Sequence, residues 1–172
     1  MKPFTKLIAT LVAMAPVAAL AEPVPKPVSD MDCLVGNWKG TGSMTMGKDK
    51  AKINATWTCK RISSQFGVSC TFHVTGIPGV PLYDEADLMG YEPNTNLYHW
   101  FTVTNAGETH DHVAKVPSGN SLEFVFNGTQ GGKPLKEIIA LTFSNDSKTV
   151  TGRAETFVGG ETASVMELSL KK

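Results

Sequence analysis

The sequence predicts an all-β protein, an up-and-down antiparallel β-barrel of about ten strands with a short N-terminal helical turn. Three observations carry this. From Asn37 onward apolar and polar residues alternate with period two, as in strands with one buried face. The alternating segments are separated by turn chemistry such as Gly47-Lys48-Asp49-Lys50, Glu92-Pro93-Asn94-Thr95-Asn96 and Gly159-Gly160-Glu161. No stretch after Gly36 has helical periodicity, and sequential antiparallel strands remove their exposed edges by closing on themselves.

In chain order, residues 1–21 have Lys2 and Lys6, an apolar run from Leu7 to Leu20, and the A-x-A pattern Ala19-Leu20-Ala21. This is the pattern of a secretory signal peptide, so a periplasmic or secreted bacterial protein is expected. The run is short for a spanning helix and no comparable run follows, so no stable membrane insertion is expected. Cys33 lies too far beyond it for a lipoprotein. Of 16 basic residues, Lys2 and Lys6 fall in this leader, which leaves 14 against 16 acidic ones and a formal charge of −2. Nothing here is basic enough for nucleic acid. Residues 22–28, EPVPKPV, read as a proline-rich extended or disordered arm. Ser29 with Asp32 three residues on resembles a capping box for a helical turn that plugs one end of the barrel domain, 29–172.

Strands are expected near 37–47, 51–62, 66–75, 83–91, 97–104, 109–116, 121–127, 135–144, 149–158 and 163–170. Alternation turns Trp38, Met44 and Met46 inward, then Ile53, Ala55 and Trp57, then Phe66, Val68 and Phe72, then Leu88, Phe101 and Val103. Leu122, Phe124, Phe126, Ile139, Leu141, Phe143, Val150, Ala154, Met166, Leu168 and Leu170 complete the inward set. From Leu82 to Tyr91 two facings are open: Asp84, Ala86 and Leu88, or Glu85, Asp87, Met89 and Tyr91. Glycine at 40 and 42 marks either a bend or a mouth.

The segment 97–116, LYHWFTVTNAGETHDHVAKV, reads as a hairpin turning at Asn105-Ala106-Gly107-Glu108. A turn that sets Thr104 opposite Thr109 places Val103 opposite His110, Phe101 opposite His112 and His99 opposite Ala114. Three of the four histidines, His99, His110 and His112, then face the interior. His110-Asp111-His112 projects two imidazoles to one side about 7 Å apart, a spacing that suits zinc or copper, and His99 supplies a third nitrogen. Met44 and Met46 add soft thioethers suited to Cu(I) or serve simply as core filler. Should Tyr91, Tyr98 and Trp100 point inward instead, the histidines lie outside and the pocket is aromatic. Asp84, Glu85 and Asp87 are acids, ligands or solvated groups. No nucleophile elbow, phosphate loop or triad spacing is present, which argues against an enzyme.

Inward Cys59 and Cys70 fall opposite each other if a short turn lies near Ser64 and Gln65, which favours a Cys59–Cys70 disulfide; Cys33 pairing with either is the rival.

Leu34-Val35-Gly36-Asn37-Trp38-Lys39-Gly40 resembles the G-x-W opening of lipocalin and calycin barrels. Gly90-Tyr91-Glu92-Pro93-Asn94-Thr95, followed by Tyr98-His99-Trp100, is similar to a turn and aromatic strand of an uncharacterised bacterial family of lipocalin-like barrels, a domain of unknown function. The resemblance covers roughly Met31 to Leu170 and implies small-molecule binding without catalytic residues. Lipocalins pack a late arginine over the G-x-W tryptophan; the arginines here are Arg61 and Arg153, and Arg153 reads as outward. Nitrobindin, a more distant ten-stranded relative, holds haem through a late histidine. No histidine follows His112, so no haem site is implied and the cofactor is left open.

The leading expectation is a barrel, monomeric or weakly dimeric, that takes a small apolar or amphipathic molecule. Its expected lining is Trp38, Met44, Met46, Trp57, Phe72, His99, Phe101, His110 and His112. The alternatives are a metal site or metal-assisted hydrolase on 97–116, and a packed structural or partner-binding barrel.

Overall fold

A computed structural model describes residues 23–117 and 119–172; the signal peptide read at 1–21 lies outside the described residues. The chain opens with helix α1 (Lys26–Asp30) and a 3-10 turn (Met31–Cys33). Ten strands follow: β1 (Gly36–Met46), β2 (Asp49–Ile62), β3 (Gly67–Thr75), β4 (Tyr83–Glu92), β5 (Leu97–Thr104), β6 (Thr109–Lys115), β7 (Ser121–Gln130), β8 (Lys133–Phe143), β9 (Thr149–Val158) and β10 (Glu161–Lys171). Each pairs antiparallel with its sequence neighbours, and β1 pairs β10 to close the barrel. The closure is thinnest between β6 and β7, which meet among the described residues at the single pair Val113 and Val125. The β9–β10 hairpin shows how local chemistry drives it. Gly159 and Gly160 both have positive φ (63° and 88°), the requirement of the two-residue turn whose twist matches its strands.

The helical segment closes one end. Val28, Met31 and Leu34 are buried, the Tyr98 hydroxyl donates to the Pro27 carbonyl (2.7 Å), and Arg61 donates to the Val28 carbonyl (2.7 Å) and to Asp32 (2.7 Å). The helix starts at Lys26, inside what reads in sequence as an extended arm, because burying Val28 offsets the cost of ordering it. The capping box does not form: the Ser29 hydroxyl donates back to the Lys26 carbonyl (2.9 Å), and Asp32 is engaged by Arg61. Trp38 is fully buried beside this plug, its indole N–H donating to the Leu34 carbonyl (2.7 Å). Lys172 lies over its ring at 4.6 Å and supplies a cation to its face.

Cys59 lies opposite Cys70 and the two form the disulfide, leaving Cys33 free. Gly40 and Gly42 mark a close approach of β10 to β1, since a Cβ on either would stand within 2 Å of the β10 carbonyls of Ser169 and Glu167. Phe66 is exposed, because Ser63, Ser64 and Gln65 turn with positive φ and β3 begins only at Gly67.

The largest departure from the sequence reading is at β4 and β5. The β5–β6 loop has three residues, Asn105 to Gly107, with Thr104 N–H donating to the Glu108 carbonyl (3.0 Å) and Gly107 at φ 84°. Thr102 therefore lies opposite His110 and Trp100 opposite His112, one residue from the expected register. A shift of one residue inverts a strand. Tyr98, Trp100, Thr102 and Thr104 are buried, whereas Phe101 and Val103 are exposed and His99 is on the outer face. On β4 it is Glu85, Asp87 and Met89 that face in, and Leu88 is exposed beside Phe101.

Candidate functional site

The half of the barrel away from the helix is hollow. A cavity of about 420 Å³ lies there, within the range of small-molecule sites. One part of its wall is apolar: Met44 and Met46 from β1, Phe72 from β3, Ile139 from β8, and Met166 and Leu168 from β10. Trp57 and Trp100 stack on each other at 5.8 Å with 19° between their planes. The remaining wall is polar, formed by Tyr83, Glu85, Thr102, Thr104, His110, His112 and Glu137.

His110 and His112 project inward from alternate positions of β6 and meet the carboxylate of Glu137 on β8. His110 Nδ1 and His112 Nε2 lie 2.8 and 3.0 Å from the same oxygen, Oε2. Phe126 stacks flat on His110 at 4.0 Å. It leans over Gly128, where a Cβ would stand 2.6 Å from the ring. Burial by itself would raise the Glu137 carboxyl; the His112 hydrogen bond and the charge of His110 outweigh it and hold the group below the ordinary range. His112 Nδ1 is buried without a partner. One ligand atom from each of the three residues falls within a 4.8 Å group, a geometry that can hold a metal ion.

On β4, Glu85 and Asp87 face in two residues apart. The Tyr83 hydroxyl donates to Glu85 Oε2 (2.8 Å) and the Thr102 hydroxyl to Asp87 Oδ1 (3.0 Å), while Asp87 Oδ2 is buried without a partner. Burial and the neighbouring Asp87 push Glu85 well above its ordinary value; burial also raises Asp87, against the pull of Glu85, Trp100 and Thr102. Burial, then Glu85, hold the Tyr83 phenol protonated.

Of the residues expected from sequence, Met44, Met46, Trp57, Phe72, His110 and His112 line the cavity. Trp38 is core at the closed end, packed edge-on against Phe143 at 5.9 Å. Phe101 is outside, and so is His99, whose Nδ1 pairs with Asp111 (3.0 Å) instead of converging with the other two imidazoles. Sequence reasoning missed Glu137, although it shares the odd parity of inward Ile139 and Leu141. It left Glu85 and Trp100 undecided between two facings.

Closed ten-strand order, a helical plug at one end and a hollow at the other define the chain by fold as an up-and-down antiparallel β-barrel. It is similar to the crystal structure of Rv2717c from M. tuberculosis, with a TM-score of 0.64 and 13% identity over 87% of this chain and 99% of that chain. No protein-family model matches the chain and no curated protein matches it, so the likeness is one of fold.

Proposed function

We propose that the protein is exported, as its leader suggests, and binds a small, partly apolar molecule in the hollow half of the barrel as a monomer or weak dimer. The observation that carries this is the cavity itself, where an apolar wall faces a few convergent polar groups. His110, His112 and Glu137 orient the guest, and Met44, Met46, Phe72 and Met166 contact its apolar body. The neutral dye N-phenyl-1-naphthylamine tests the reading. Its fluorescence is expected to rise saturably at one dye per chain and to lose that rise in Ala154→Phe, which fills the cavity. A dye that stays dark with wild type, together with no molecule extracted from the purified protein, overturns it.

A second reading has its own support. His110, His112 and Glu137 offer two imidazoles and a carboxylate, the donor set of many zinc sites, in which ligand atoms stand about 3.3 Å apart. The 2.8 and 3.0 Å contacts to Glu137 need to open by only a few tenths of an ångström. Zinc and copper content of wild type, His112→Ala and Glu137→Gln decides it: metal in wild type alone supports the site, and equal, negligible content removes it.

A further inference from the structure

We propose that the molecule taken by this cavity carries a positive charge, being an organic ammonium whose cationic end sits against the Glu85–Asp87 carboxyl pair. This rests on the hollow end being a ligand site. The argument starts from the charges. Glu85 and Glu137 line the cavity with Glu108 and Glu155, Asp87 is buried two residues from Glu85 on the same strand, and Arg153 is the one lysine or arginine in the lining among the described residues. Arg153, from the surrounding wall, is half-exposed and turns its guanidinium to Glu155 (2.7 Å) and Glu167 (2.5 Å). Glu137 already has His110 and His112.

Glu85 and Asp87 have no such partner. Their hydrogen bonds come from neutral hydroxyls, those of Tyr83 and Thr102. Glu85 and the indole N–H groups of Trp57 and Trp100 also ease the Asp87 charge, but none of these neighbours is a cation, and Asp87 Oδ2 makes no hydrogen bond of normal geometry. Neutral donors ease a buried anion without cancelling its charge, and a buried charge lacking a counter-ion is costly. Burial accordingly pushes both carboxyls upward. A cation is the guest that removes this cost. The aromatic faces in the same wall, Trp57, Trp100, Phe72 and Tyr83, attract a cation in their own right and reject a carboxylate. Met44, Ile139 and Leu168 elsewhere in the lining suit an apolar body, so the cation that fits the whole cavity is an organic one.

Three molecules sharing one indole ring test this by calorimetric titration at neutral pH: tryptamine, indole-3-ethanol and indole-3-acetate. They differ in charge at the chain end, positive, neutral and negative. Tryptamine is expected to bind at least about ten-fold tighter than the other two, the effect of a charge-assisted hydrogen bond. That preference should collapse in Glu85→Gln, or in Asp87→Asn if the first variant does not fold. It should persist in Glu123→Gln, which removes an outer-wall carboxylate. Equal binding of the three, or a preference that survives both interior variants, overturns the inference. The dye keeps the two failures apart: dye binding without ammonium preference sinks the charge alone, and no binding of dye or amine sinks the ligand site with it.

Discussion

The two ends of this barrel are made from the same ten strands, yet their inward residues do opposite things. Beneath the helix, Leu34, Trp38, Phe143, Val150 and Leu170 are buried against one another and against Val28 and Met31. At the far end Met44, Met46, Phe72 and Met166 are only partly buried, and Glu85, His110 and Glu137 stand among them. The same closed strand order frames both ends, so one end is free to be filled and the other to be left open. Folding free energy is concentrated at the plugged end, because burial scales with apolar area removed from water. The hollow end keeps unfilled volume and unpaired polar groups, features that cost stability and suit recognition.

Four measurements can break or sharpen this contrast. The largest expected effect is Trp38→Ala, which removes a fully buried indole, its hydrogen bond to Leu34 and the Lys172 contact. It should cost about 3–5 kcal/mol in urea unfolding. Next is the disulfide. Replacing Cys59 and Cys70 by alanine should cost about 2–4 kcal/mol, while dye binding at the far end survives under conditions where the variant is folded. Loss of binding in folded variant protein would mean the two ends are coupled.

The third effect is smaller and depends on pH. Glu85 keeps its proton in the folded protein well above the ordinary value of 4.5. The unfolded chain therefore loses that proton first, and stability falls as pH rises from 4.5 through the folded value, after which it levels. Glu85→Gln should melt above wild type at pH 8 and match it at pH 4. Glu137 works in the other direction, since its folded value lies below 4.5. Its contribution is complete above 4.5 and is lost as pH falls through the lower folded value, so Glu137→Gln should flatten only the acid side. Melting curves of both variants from pH 3 to 8 check the signs.

The smallest effect is expected for Met166→Ala, at about 1 kcal/mol or less, because its side chain borders volume that is already empty. A cost equal to that of Trp38→Ala would mean that the far end is packed, and the division of labour would be lost.

How far each end was legible follows from the same division. At the plugged end Trp38, Phe143, Val150, Leu170 and the Cys59–Cys70 register all read correctly, because burial demands apolar residues at every second position. Around the site the rule weakens. On β5 the row Leu97, His99, Phe101 and Val103 looks more apolar than Tyr98, Trp100, Thr102 and Thr104, yet the second row faces in. A cavity that holds polar groups reverses the usual signal. Glu137 had the right parity but the wrong charge for a core position, and Glu85 and Asp87 were one of two open facings.

What the sequence determined alone is an antiparallel order of about ten strands and the common face of His110 and His112, since two residues at alternate positions of a strand share a face whatever its register; it favoured the Cys59–Cys70 pair, and the structure removed the rival pairings of Cys33. Only the closed structure decided which face that was relative to β5, and only it brought Glu137 and the β4 carboxyls into reach. The physical reason is a single loop residue between Thr104 and Thr109. Turn composition allows either loop length, and the choice is made by the sum of contacts that Trp100, Trp57 and Phe124 make across strands distant in the chain.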